Sequence, residues 1–114
     1  MTRTREIARN EWKSFTDDLS RKEQDHPVHI EVVGREVGDE ELNNPMALVG
    51  LSLEEKGSEE DAIDIMLGRP SGDSTLTHRV PHATRMLTLE KDDGVLECLD
   101  IEDADTGRTL VFFD

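Results

Sequence analysis

The chain has 114 residues, 27 of them acidic and 13 basic, with a formal net charge of −14; that length is one domain, 1–114, with one modest core. The charge excludes direct nucleic-acid binding and adhesion to a membrane surface, because no basic stripe exists to neutralise phosphates. No apolar run approaches the ~20 residues that span a bilayer, the N-terminus lacks a signal-peptide pattern, and the lone Cys98 excludes an internal disulfide, so the sequence reads as cytoplasmic.

The first predicted element is a helix from Glu11 to Asp25. Asn10 is its N-cap, Lys22 and His26 suit the negative end of its dipole, and Pro27 stops it. Trp12, Phe15, Thr16 and Leu19 share one face, which should dock on the rest of the chain. Asp17→Arg21 and Asp18→Lys22 form i, i+4 pairs on the wet side.

Short strands follow. Val28–Val32 alternates apolar and polar residues, with Gly34 marking a bulge or turn. A loop through Gly38, Asn43, Asn44 and Pro45 leads to a strand at Leu48–Leu53. Lys56-Gly57-Ser58 turns into Ala62–Leu67, and Arg69 to Asp73 is a second turn. Strands at Thr75–Val80 and Arg85–Glu90 flank Pro81. Asp92-Asp93-Gly94 makes a hairpin turn into Val95–Glu102, and Asp105-Thr106-Gly107 another into Arg108–Phe113. The predicted fold is α+β: an N-terminal helix packed on a curved antiparallel meander of six or seven strands, half-barrel or barrel-like. Val111-Phe112-Phe113 is apolar on both parities. It reads as a strand covered on both faces, or as an exposed edge that pairs with a second copy, so the chain is a monomer or a homodimer.

A set of short motifs runs through these elements: Arg5-Glu6-Ile7-x-Arg9-x-x-Trp12-x-x-Phe15, Leu19-Ser20-Arg21, Ile30-Glu31-Val32-x-Gly34, Ile63-x-Ile65-x-x-Gly68, Thr77-His78-x-Val80 and Leu99-x-Ile101-Glu102. In these the chain resembles an uncharacterised prokaryotic family, the domain of unknown function numbered 5335, over nearly its whole length. Such sequences often carry a proline shortly before the helix, where this one has Ala8. The resemblance implies no activity.

His78 and His82 stand four apart, but Pro81 lies between them in a strand-and-turn context, so they cannot share a metal as a helical pair would; His26 and His29 fail likewise. The acids from Asp100 to Asp105 lack the spacing of a calcium loop. Neither a metal nor a cofactor is expected. Strand parity offers a sharper candidate, because His78 falls between Leu76 and Val80, Arg85 accompanies Leu87 and Leu89, and Glu97 accompanies Val95, Leu99 and Ile101. Pointed inward, His78, Arg85 and Glu97 would form a polar ligand site in the curved sheet, His78 acting as acid/base with Glu97 orienting it. A bulge at Glu97 would reverse its parity, and Leu96 and Cys98 fit that reading. Cys98, beside Glu97 and Asp100, reads as a packing residue with a raised pKa.

The leading functional expectation is a non-catalytic acidic binding module with a protein partner, possible versions including a basic one. The alternative is a small-ligand-binding protein or enzyme using His78, Arg85 and Glu97. The basic residues are nine arginines and four lysines, and an acidic, lysine-poor coat fits either a salt-rich cytoplasm or an ordinary acidic protein. Self-repulsion at low salt is screened when the Debye length shrinks to about 3 Å in molar salt. Under the salt-rich reading, thermal unfolding followed from low to molar salt shows a steep rise in midpoint; a flat response leaves only the ordinary one.

Overall fold

The computed structural model describes residues 2–34, 38–54, 62–68, 75–104 and 107–113. Period-two alternation through most of this chain yields eight strands around one helix: β1 (Thr2–Glu6), a 3-10 turn (Arg9–Glu11), α1 (Trp12–Lys22), β2 (Pro27–Gly34), β3 (Gly38–Leu53), β4 (Ile63–Gly68), β5 (Thr75–Val80), β6 (Ala83–Lys91), β7 (Leu96–Asp103) and β8 (Gly107–Phe113). All ladders are antiparallel, in the order β1-β6-β7-β8-β2-β3-β4-β5.

Two departures from the expected meander matter. β2 to β5 and β6 to β8 each run as sequential neighbours, and β8 pairs back onto β2, from Val28↔Phe113 to Val33↔Arg108. The sheet instead opens between β5 and β6, which no ladder joins among the described residues. β1, the strand beyond the expected six or seven, occupies the free edge of β6, from Thr2↔Lys91 to Glu6↔Leu87. The sheet is therefore strongly curled but not closed. Its curl brings His78 on β5 to 3.4 Å from Thr109 on β8, four strands away in the order. The C-terminal strand lies in the interior of the sheet rather than at an edge, which removes the expected edge-to-edge dimer at Val111–Phe113.

The span from Gly38 to Pro45, expected as a loop, is the first half of β3. The β2 ladder pairs Gly38 to Leu42 and resumes at Met46, so Asn43, Asn44 and Pro45 form a bulge within the strand rather than a loop. The turns expected at Lys56–Ser58 and at Arg69–Asp73 lie outside the described residues.

The helix is shorter than its sequence suggests. Asn10 belongs to the 3-10 turn, and the residue before α1 is Glu11, which makes no side-chain cap. At the other end Glu23 N–H still reaches Leu19 O, at 2.9 Å, and Asp25 at φ 67° turns the chain before Pro27 can act. The i, i+4 pair on the wet side is Lys13–Asp17, while Asp18 binds Arg21 one turn on at i+3. Trp12, Thr16 and Leu19 are buried as expected, with Phe15 half-buried.

What α1 docks on follows from a mismatch of lengths. β2 accompanies β3 only as far as Ala47, so the β3 backbone beyond it needs other partners. The segment after α1 supplies two of them: Asp25 N–H donates to Leu48 O at 2.8 Å, and Leu48 N–H to His26 O at 3.0 Å. Ser20 supplies the next. Its hydroxyl accepts the Leu51 N–H at 2.8 Å, and its proton is shared between Thr16 O at 2.7 Å and Leu51 O at 3.1 Å. The helix thus stands in for a missing strand, and its apolar stripe joins the inward residues Val28, Ile30, Leu48, Ile65, Leu99 and Val111 in one core. No described helix is long and apolar enough to cross a membrane.

The first residue of β8 must be glycine. Gly107 has φ 106°, and a Cβ there would stand 2.4 Å from Val33 O. Gly107→Ala is expected to destabilise the protein by about 2–3 kcal/mol, read as a fall in denaturation midpoint with an unchanged denaturant slope.

Candidate functional site

The sequence-derived triad does not assemble. His78 does point inward, opposite Ile65 in the register, and is half-buried beside Thr109. Arg85 points outward: the inward residue is Met86, fully buried, and the Arg85 guanidinium meets Glu6 at 2.9 Å and Glu102 at 3.5 Å on the surface. Glu97 occupies a bulge, since Leu89 pairs with Cys98 and Glu90 with Leu96. The extra residue removes Glu97 from the parity of Leu99 and Ile101. Leu87 and Leu89 misled the parity of β6, because that strand turns its leucines outward and its Thr88 and Glu90 inward.

The inward polar cluster that does exist lies one strand over. On β6 the inward set is Met86, Thr88 and Glu90, and β1 brings Arg3 opposite Glu90 and Arg5 opposite Thr88. Glu90 is buried at 8 % exposure. Its carboxylate accepts from Thr88 Oγ1 at 2.8 Å, from Arg5 Nε at 3.1 Å and from Arg3 Nη2 at 3.5 Å. The Thr88 hydrogen bond, followed by those two guanidiniums, holds the carboxyl below the usual glutamate pKa and outweighs the opposing effect of burial. Thr-Arg-Thr-Arg at the N-terminus was the available signal: strict alternation of a β-branched and a cationic residue fits an edge strand, but nothing apolar marks it.

In front of Glu90 lies a cleft of about 530 Å³ between α1 and the β6–β7 turn. Ile7, Phe15, Leu19 and Leu96 form its apolar floor, and Val95, 51 % exposed, stands at its mouth. One wall is helical and mostly acidic, with Glu11, Asp18 and Glu23 against Lys22. The cleft is held open from both sides. Gly94 at φ 87° donates to Lys91 O and so fixes the turn, while Trp12 Nε1 donates to Ile7 O at 3.0 Å and anchors the start of the helix to the end of β1.

Among the described residues no group of three or more His, Cys, Asp or Glu side chains is arranged to hold a metal. Cys98 is buried on the outer side of β7, where burial first and Asp100 second push its thiol up to about 11. At neutral pH it is a protonated packing group.

Residues 3–114 match the model of a family of unknown function, DUF5335. The chain is also 26 % identical to an uncharacterized protein of Aquifex aeolicus (strain VF5) over 108 residues, covering 95 % of this chain and 89 % of that one. No solved structure matches.

The lowered pKa of Glu90 sets a pH dependence. A carboxyl whose folded pKa lies below its unfolded value of about 4.3 stabilises the fold above that value and loses the contribution as pH falls through the folded one. Acid unfolding of the wild type should therefore steepen below about pH 4. Glu90→Gln is expected to be less stable at neutral pH and to show a shallower acid limb, followed by circular dichroism; parallel limbs would mean that Glu90 titrates normally.

Proposed function

The chain belongs to DUF5335, a family of unknown function, so we propose from its own geometry that it is a small, non-catalytic binding module whose site is the cleft between α1 and the β6–β7 turn. The cleft itself carries this reading: an apolar floor open to solvent beside a wall of carboxylates. An apolar side chain seated against Phe15, Leu96 and Val95 gains about 1.5–3 kcal/mol when fully buried. Cationic groups flanking that anchor meet Glu11, and also Asp18 and Glu23 beside their own partners Arg21 and His26. A segment of a protein partner that is basic and apolar by turns therefore suits the cleft, and the net charge of −14 steers such a partner toward it.

Small-ligand binding at His78, Arg85 and Glu97 is less well supported, because only His78 of the three faces the interior. The inward cluster offers no substitute acid/base. Glu90 is fully engaged by Thr88 and two arginines, an arrangement that suits an anchor for β1 better than a proton carrier.

The proposal is tested by titrating fluorescent peptides that alternate lysine with leucine or phenylalanine, against matched peptides carrying glutamate. The lysine series is expected to bind, and to weaken as salt rises. Val95→Lys opposes both the apolar and the charge contact, and should weaken binding by about tenfold or more. Equal affinity for both peptide series, or affinity indifferent to Val95→Lys, would sink the assignment of the cleft.

A further inference from the structure

Each of β2 to β8 buries at least one apolar side chain, and β1 has none to bury. From Arg3 to Glu6 its side chains are all exposed, whereas Ile7, the next residue, is buried. β1 is held by its ladder to Leu87–Lys91 and by the ion pairs of Arg3 and Arg5 with Glu90 and of Glu6 with Arg85. The strand also ends at a staple. Ile7 N–H donates to Met86 O at 2.8 Å, and Ile7 O accepts from Trp12 Nε1 at 3.0 Å. The residues before Ile7 can therefore leave β6 while the helix stays docked. An edge segment without buried apolar contacts opens at a small fraction of the cost of global unfolding.

The β6 edge that β1 occupies is selective on both of its sides. Inward, Arg3 lies across from Glu90 and Arg5 across from Thr88, and both guanidiniums reach the one carboxylate. A carboxylate buried to 8 % exposure demands a cation from whatever pairs there. Outward, β1 leaves something unfilled. Thr4, across from Leu89, borders a shallow cavity of about 460 Å³ with Leu87, Leu89, Leu110 and Phe112, all four half-buried. Threonine is too small and too polar to cover them. We propose that the β6 edge is a strand-binding site and β1 its exchangeable occupant, displaced by an extended segment of a protein partner that carries arginines at the Arg3 and Arg5 positions and an apolar residue between them. Main-chain pairing supplies affinity, and the alternate side chains supply selection. A tethered strand competes at an effective concentration on the order of millimolar, so a segment that merely copies β1 binds at about that concentration. One apolar side chain seated against Leu89 and Phe112 improves on this by roughly tenfold to a hundredfold.

The probe is a fluorescent peptide with the sequence of Thr2 to Glu6 carrying Thr4→Leu, titrated against the full chain. It is expected to bind with a dissociation constant on the order of 10–100 µM, and the peptide without the substitution about tenfold or more weakly. In the chain itself the same substitution acts in reverse. Thr4→Leu there strengthens the hold of β1, and should raise the dissociation constant of the peptide by about tenfold or more. As the peptide binds, the amide resonances of Arg3 to Glu6 in an isotope-labelled chain should move to disordered positions. No binding at millimolar peptide would overturn the proposal. So would binding that Thr4→Leu in the chain leaves unchanged, or binding during which the β1 resonances stay in place. Val95→Lys, which obstructs the cleft, should leave this binding within a factor of about two; a peptide that it displaces sits in the cleft, and the strand site is then refuted while the cleft stands.

Discussion

Pairing of the last strand with β2 is the constraint on which the rest of this fold depends. It joins residues some eighty positions apart, from Val28↔Phe113 to Val33↔Arg108, and such long-range contacts are costly in chain entropy until the core repays them. Once made, it turns a linear meander into a curled wall. The inward residues of β4 and β7 then face one another, and Ile63, Ile65, Leu99 and Ile101 lose all contact with water. Gly107 is the point at which this pairing is most exacting, because the start of β8 lies against the Val33 carbonyl with no room for a side chain.

The same pairing decides where the sheet opens. With β8 committed to β2, the seam falls at β5 and β6, joined only through Pro81 and His82, the latter held at φ 52°. A seam exposes backbone donors and acceptors that must be covered or charged. β1 covers the β6 side, and its hold is electrostatic as much as hydrogen-bonded: Arg3 and Arg5 close over the buried carboxylate of Glu90. Such a carboxylate is tolerable only while its partners stay in place. The cleft before it is therefore built by an edge strand and a helix that meet at Ile7 and Trp12, the two elements least embedded in the sheet.

Much of this was legible in the residues, and the misses have physical causes. The helical stripe of Trp12, Phe15, Thr16 and Leu19, the hairpin at Asp92–Gly94 and the C-terminal strands follow from periodicity and turn chemistry alone. β1 escaped because Thr2–Glu6 contains no apolar residue, and its strand character comes entirely from the edge that β6 offers. The first half of β3 escaped because Asn43, Asn44 and Pro45 suit a turn, whereas they form a bulge between two stretches that β2 pairs. At β6, hydrophobicity gave the wrong face: Leu87 and Leu89 point outward while Thr88 and Glu90 point in. The candidate cleft was hidden for the same reason. Its defining carboxylate sits on the parity that an apolar-in reading assigns to solvent.

Arginine placement explains how so acidic a chain keeps its strands in register. Arg79 lies directly opposite Asp64 and grips it with two hydrogen bonds, at 2.8 and 2.9 Å. Arg3 lies opposite Glu90, and Arg85 opposite Glu102. Arg108, facing Glu102, reaches diagonally to Asp100. A planar guanidinium matches a carboxylate at two points, which a lysine ammonium cannot do. Each exposed pair adds little stability by itself, but a one-residue slip would separate it and also turn the core residues to the wrong face. Where cations are scarce, placing them across strands lets charge and burial specify the same alignment. The excess carboxylates are then left to the surface, where they keep copies of the chain apart.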